Sequence, residues 1–255
     1  MIAAAAAAFA ALGVGSIRLR RWAPALMVVA AWNWLLVGLA LAAFLALLLA
    51  GPLFPVAAFL LVPALVAGVV LPVAFLRVYR DPDVQHTCEA HDPRPSWTEQ
   101  CPRSVLALSV SLGLAGVLAL PMPFVAAVPL FGKTLAGGPA ALMTIGAAAA
   151  SLWLARALYR MEPSGWWGTL ILIALAGASW AVSAVTLRTE ELLGVLGLGD
   201  ARLDELGFGA EPFAMRAWLA AVSVLLTVAM VGYLWRIRRY FAGGLSRRSA
   251  PPPAP

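Results

Sequence analysis

Residues 22–76 read WAPALMVVAAWNWLLVGLALAAFLALLLAGPLFPVAAFLLVPALVAGVVLPVAFL, 55 consecutive positions without a single Lys, Arg, Asp, Glu or His. No water-soluble core of a 255-residue chain absorbs such a run. A bilayer does, because each helical crossing takes about 20 apolar residues. The stretch therefore predicts two membrane spans, with a turn where Gly51-Pro52 and Phe54-Pro55 interrupt the apolar residues.

The rest of the chain follows the same pattern. It is 62% hydrophobic and 12% charged, about half the ~25% charged share of soluble domains. Breaking it at its charges gives an all-α bundle of seven transmembrane helices, at roughly 2–17, 23–49, 53–76, 104–131, 139–158, 166–187 and 217–235. These form one transmembrane domain over 1–240, with loops at 77–103 and 188–216 and a disordered, basic, proline-rich tail at 241–255. The first segment lacks the basic leader of a secretory signal, and Arg18, Arg20 and Arg21 follow its apolar run. It is therefore expected to be a retained, short first span with its N-terminus outside.

Alternate sides of the seven spans carry unequal positive charge. Fourteen arginines (18, 20, 21, 77, 80, 94, 103, 156, 160, 236, 238, 239, 247 and 248) fall on one side. Four basic residues, Lys133, Arg188, Arg202 and Arg216, fall on the other. Acidic residues divide six and six, so the asymmetry is one of basic residues, which orients the N-terminus outside and the C-terminus in the cytoplasm. Tyr79, Tyr159, Tyr233 and Tyr240 all sit at the arginine-rich ends, where an aromatic belt belongs. The +6 charge does not point to nucleic acid, since it marks the ends of apolar segments and forms no basic face. The expected surroundings are lipid, with a membrane-protein partner or a second copy of the chain.

The cytoplasmic loop 77–103 holds every His and Cys of the protein: His86, Cys88, His91 and Cys101. Thiolate and imidazole at this spacing could surround Zn2+ in a tetrahedron, although the paired C-x2-C knuckles of common zinc sites are missing. Cys88 and Cys101 could instead be a redox pair, which a reducing cytoplasm disfavours as a standing bridge. The third reading is a packed cap with both thiols reduced. Thr87-Cys88-Glu89, Asp92-Pro93 and Trp97-Thr98-Glu99-Gln100-Cys101-Pro102, with the Arg20-Arg21-Trp22-Ala23 start of the second span, resemble a loop of uncharacterised bacterial multi-pass membrane proteins. That resemblance implies a bacterial inner-membrane setting and a constrained loop, and it implies no activity.

Beyond the loop, Asp200 and Asp204 share a helical face in the outer connection, where a divalent cation or a wet interfacial helix would fit. The spans contain no histidine for haem, the chain has no HExxH, and the last span has no lysine for a retinal Schiff base. Asn33 lies mid-span, Pro63 interrupts the third span, and Pro121 and Pro123 the fourth. Broken helices build transport sites, and they also persist as packed kinks. Small residues such as Ser109, Gly113, Gly146, Ser179 and Ser183 permit close helix packing. Two functional classes follow. One is a non-enzymatic membrane component that assembles with or modulates a partner, sensing metal or redox state through the loop. The other is a small permease for an uncharged or lipid-like solute, built around Asn33 and the proline-broken spans. Neither needs a cofactor, apart from the zinc the loop could hold.

Overall fold

The computed structural model describes residues 2–49, 54–93, 96–120, 127–188, 191 and 212–242. Its helices are α1 (Ile2–Ile17), α2 (Ala23–Leu48), α3 (Phe54–Leu65), α4 (Leu71–Arg80), α5 (Pro82–His91), α6 (Arg103–Ala119), α7 (Gly137–Tyr159), α8 (Pro163–Thr186), α9 (Pro212–Ile237) and α10 (Arg239–Ala242). A π-helical turn, Val66–Val70, joins α3 to α4, and a short hairpin pairs β1 (Val128–Leu130) with β2 (Lys133–Leu135). Five stretches are long and apolar enough to cross a membrane: Ala23–Ala46, Phe54–Arg80, Gly137–Tyr159, Pro163–Thr186 and Arg216–Phe241. The protein is thus a largely helical membrane protein. Its described residues fall into two compact units, residues 1–103 and residues 104–188 with 212–242.

In the first unit, α2 runs antiparallel to the α3–α4 helix. Ala31 and Leu35 of α2 pack with Leu76, Val69 and Val73, and Leu45 packs with Ala57 and Leu61. Between these two contacts the backbones meet at Gly38 and Gly68. A Cβ on Gly38 would lie 2.0 Å from the Gly68 carbonyl oxygen, so only hydrogen fits there. The π turn has a local cause. Pro72 has no N–H to give the Gly68 carbonyl four residues back, and its ring would clash with that carbonyl. Widening the helix, with the Leu71 N–H donating to Val66 O, relieves the clash and turns Gly68 towards α2. The helix itself continues to Arg80, four residues beyond the boundary expected at 76.

The second unit gathers its core where α7 ends, α8 begins and α9 ends. Val105, Leu108, Leu158, Trp166, Leu234, Ile237 and Phe241 pack there. Several polar side chains in this unit bond to backbone carbonyls of neighbouring helices, where a medium without water supplies no other partner. Ser109 Oγ donates to Ala155 O at 2.7 Å, Trp166 Nε1 to Leu234 O at 2.9 Å, and Tyr233 Oη to Ser104 O at 2.8 Å. Gly177 admits Thr227, whose Oγ1 would sit 1.9 Å from any Cβ there.

One expected boundary is corrected. Hydropathy predicts a fourth span filling 104–131, but α6 stops at Ala119, and residues 128–135 form the hairpin. In sequence Leu120 precedes Pro121, and a residue before proline is disfavoured in the α region. The hairpin loop is Phe131-Gly132, both with positive φ (45° and 82°), the conformation of a tight two-residue connection. Its tip is fastened to α8: the Phe131 N–H donates to Ser179 Oγ at 3.1 Å and the Gly132 N–H to Ser183 Oγ at 3.0 Å. Ser179 and Ser183 are one helical turn apart, so a single face of α8 receives both amides. Thr186 lies on the same face, and its Oγ1 would be 2.3 Å from a Cβ on residue 132. The expected acidic pair Asp200 and Asp204, most of the 188–216 connection and residues 243–255 of the expected tail lie outside the described residues.

Candidate functional site

The loop after α4 is a folded structure with its own caps and ties. Asp81 accepts from the Asp83 N–H at 3.0 Å while Pro82 opens α5, a favourable helix start. Ser96 caps the following 3-10 turn, Trp97–Glu99, through the Thr98 N–H at 3.2 Å. The segment between α1 and α2 then clamps the loop. Arg21 Nε donates to Glu99 Oε1 at 2.5 Å, its Nη1 reaches Pro93 O at 3.4 Å, and Arg20 lies 3.6 Å from Asp92. Arg103 closes the other side, donating to Gln85 Oε1 at 2.6 Å. Arg80 stacks over the Trp32 ring at 5.4 Å.

Inside this clamp both cysteines are buried, with 4% of Cys88 and 5% of Cys101 exposed, and both are free thiols. Burial pushes both thiols above their ordinary titration range, and the Glu89 carboxylate adds to the rise at Cys88. They are therefore protonated near neutral pH, and a protonated thiol is a poor nucleophile and metal ligand. The histidines are placed differently. His86 is exposed, 3.8 Å from Glu89, and His91 is exposed with Nδ1 3.2 Å from Thr87 O. At about 100° per residue, positions two apart on a helix point to nearly opposite sides, which separates His86 from Cys88. Cys88 and His91, three apart, share a side of α5. Among the described residues no group of three or more His, Cys, Asp or Glu is arranged to hold a metal ion.

The residues expected to line a solute pathway are also located. Asn33 is half-buried, and its Nδ2 donates to Val29 O of its own helix at 2.9 Å. Pro63 lies inside α3 without breaking it. Pro121 and Pro123 lie outside the described residues.

Sequence reasoning missed the clamp and the glycine crossing. Arg20 and Arg21 read as topology signals, and nothing in their spacing ties them to acids more than 70 residues away. Gly38 and Gly68 are hidden by an apolar background, although each is the one glycine of its apolar helical run. Five stretches long and apolar enough to cross a membrane, with a folded polar segment after the second of them, define the class: a helical membrane protein. No protein-family model, curated protein or solved structure matches the chain.

Proposed function

We propose that this is a seven-span protein of the bacterial inner membrane, non-enzymatic, in which the folded cytoplasmic loop docks a membrane-protein partner. The seven-span count adds α1 and α6 to the five long helices. With 16 and 17 residues they reach about 24 and 26 Å at 1.5 Å per residue, near the ~30 Å hydrocarbon thickness. The fourteen-to-four division of basic residues supports an outer N-terminus and a cytoplasmic C-terminus.

The observation that carries the docking role is the clamped loop. A mere connector needs neither caps nor ion pairs to distant segments, whereas a recognition surface gains from being ordered before its partner arrives. The loop also presents Trp97, 44% exposed, amid polar groups, and Trp is enriched at interface hot spots. Its two buried, protonated thiols weigh against redox or metal sensing as its main role. The permease alternative has less support: the Asn33 amide bonds to its own helix, and the Gly68 carbonyl freed by Pro72 faces the Gly38 backbone.

Two experiments test this. In a background lacking Cys88 and Cys101, a cysteine replacing Ala90 is expected to resist a membrane-impermeant maleimide in sealed right-side-out vesicles, and one replacing Glu205 to react. The reverse pattern refutes the threading. A photo-crosslinker at Trp97 is expected to give one adduct of defined mass in living cells, lost in Arg21→Glu. Adducts as abundant from a crosslinker at Lys133 refute docking by the loop.

A further inference from the structure

The arginine-rich ends of the two units differ in what their guanidinium groups meet. In the first unit Arg20, Arg21 and Arg103 are tied to Asp92, Glu99 and Gln85, Arg80 lies over Trp32, and Arg18 and Arg77 are exposed without an indole beneath them in the described contacts. In the second unit Arg156, Arg160, Arg236, Arg238 and Arg239 are all exposed where α7 ends, α8 begins and α9 passes into α10. The one carboxylate among the described residues of that end is Glu162, 3.9 Å from Arg160. Arg238 is held by rings: its guanidinium carbon lies 4.9 Å from the Trp235 centroid and 5.8 Å from that of Trp166. Trp166 is itself fixed, 2% exposed, through its indole bond to Leu234 O and its edge contact with Trp167 at 4.6 Å. Stacking on indoles orients a guanidinium while leaving its N–H edge free for an anion. This edge sits at the end of three apolar helices, where Trp and Tyr mark the headgroup level.

We propose that this end of the second unit binds the headgroup of an anionic phospholipid, with Arg238, set by Trp166 and Trp235, as its organising cation and Arg236 and Arg239 beside it. The phosphate accepts from Arg238, and the acyl chains lie along the exposed apolar surface of α8 and α9, where Trp167 and Trp235 are open. The proposal is independent of what the loop after α4 docks.

The test is native mass spectrometry of the full chain in neutral detergent with equal phosphatidylglycerol and phosphatidylcholine. The wild type is expected to retain phosphatidylglycerol preferentially. A surface arginine near lipid contributes about fivefold in affinity, so Arg238→Gln should reduce the preference by about that factor. Arg236→Gln/Arg238→Gln/Arg239→Gln should abolish it. Trp235→Leu, which changes no charge at an exposed position, should weaken it as well, and Lys133→Gln should leave it intact. Equal retention of the two lipids overturns the proposal, as does an unchanged preference in Arg238→Gln or in Trp235→Leu. Displacement of the lipid by millimolar inorganic phosphate alone would make the occupant a free anion and also overturn it.

Discussion

Replacing Gly38 with alanine is expected to pry α2 from the α3–α4 helix. The new methyl carbon would start 2.0 Å from the Gly68 carbonyl oxygen and 2.5 Å from its Cα. Carbon and oxygen in a favourable C–H···O contact rest about 3.3 Å apart, so the helices must separate by roughly 1.3 Å at the crossing. Both partners in the contact are backbone, so no side-chain rotamer can absorb the shift. Overpacking of this kind costs about 1–3 kcal/mol. Alanine's helix preference over glycine returns about 0.8–1.0 kcal/mol. The net is a destabilisation of up to about 2 kcal/mol.

Gly146 supplies the control, because it lies in the interior of α7 with nothing within 4 Å of the place a methyl group would take. Gly146→Ala should therefore be neutral or stabilising by up to about 1 kcal/mol. Gly68→Ala should fall between, since its methyl would lie 2.8 Å from Gly38 Cα. Unfolding in mixed micelles by titrated dodecyl sulfate, followed by tryptophan fluorescence, ranks the three. If Gly38→Ala and Gly146→Ala move the midpoint equally, the backbone crossing is not what joins these helices.

Ser179→Ala/Ser183→Ala should release the hairpin tip, leaving the Phe131 and Gly132 amides without their acceptors at a cost of about 1–3 kcal/mol for each one that stays dry; hydrogen exchange at those two amides should quicken while that of α9 stays unchanged. Alkylation of Cys88 and Cys101 in the folded protein should be slow at pH 8 and still climbing beyond pH 9, because both titrate above 9.0; a plateau below pH 9 would contradict their burial. The sign for stability follows from the same shift: both states hold the protons below 9.0, and as pH rises above it the unfolded chain ionises first, so the thiols' contribution is lost through the folded-state titration. Arg21→Gln should change global stability by no more than about 1 kcal/mol, since its pair with Glu99 is partly solvated, yet it should speed proteolysis within 92–101; an unchanged cleavage rate would mean that Arg21 does not hold the loop.

How much of the fold and of the loop is legible in the sequence depends on the range over which each cause acts. The long apolar helices can be read directly, because hydropathy is a local sum and residues 23–46 or 163–186 contain it entirely. The fourth span departs from expectation at residues 128–131, where apolar composition looks the same in a helix and in a hairpin. The distinguishing signals are Pro129 and the Phe131-Gly132 loop, whose two positive φ values are more often announced by Asn-Gly. At the loop after α4, the cysteines and histidines do cluster in sequence, but chain proximity is not convergence. Once Pro82–His91 is a helix, a two-residue spacing sends His86 and Cys88 to different sides. Ser179 and Ser183 read only as small residues, because their acceptor role needs a hairpin some 50 residues earlier to be present.

The placement of polar groups along the helices bears on function more than any single residue does. Asn33, Thr144, Ser151, Thr186 and Thr227 donate to carbonyls of their own helices. Ser109, Trp166, Ser223 and Tyr233 donate to carbonyls of a neighbouring segment. Ser16 and Thr169 hold the buried oxygens left without a bond among the described residues. A carbonyl-bound hydroxyl is already committed, and converting it to solute recognition would mean breaking that bond in a medium with no water to replace it. Groups at the helix ends face no such penalty. The clamped loop and the arginine–tryptophan end carry exposed charge and indole, and both proposals place them at the level of water and headgroups. The proposed docking of a protein and of an anionic lipid therefore rests on the helix ends, and the one buried hydroxyl in the long helices left without a bond among the described residues, Thr169 of α8, marks where a polar solute would have to be sought if that proposal failed.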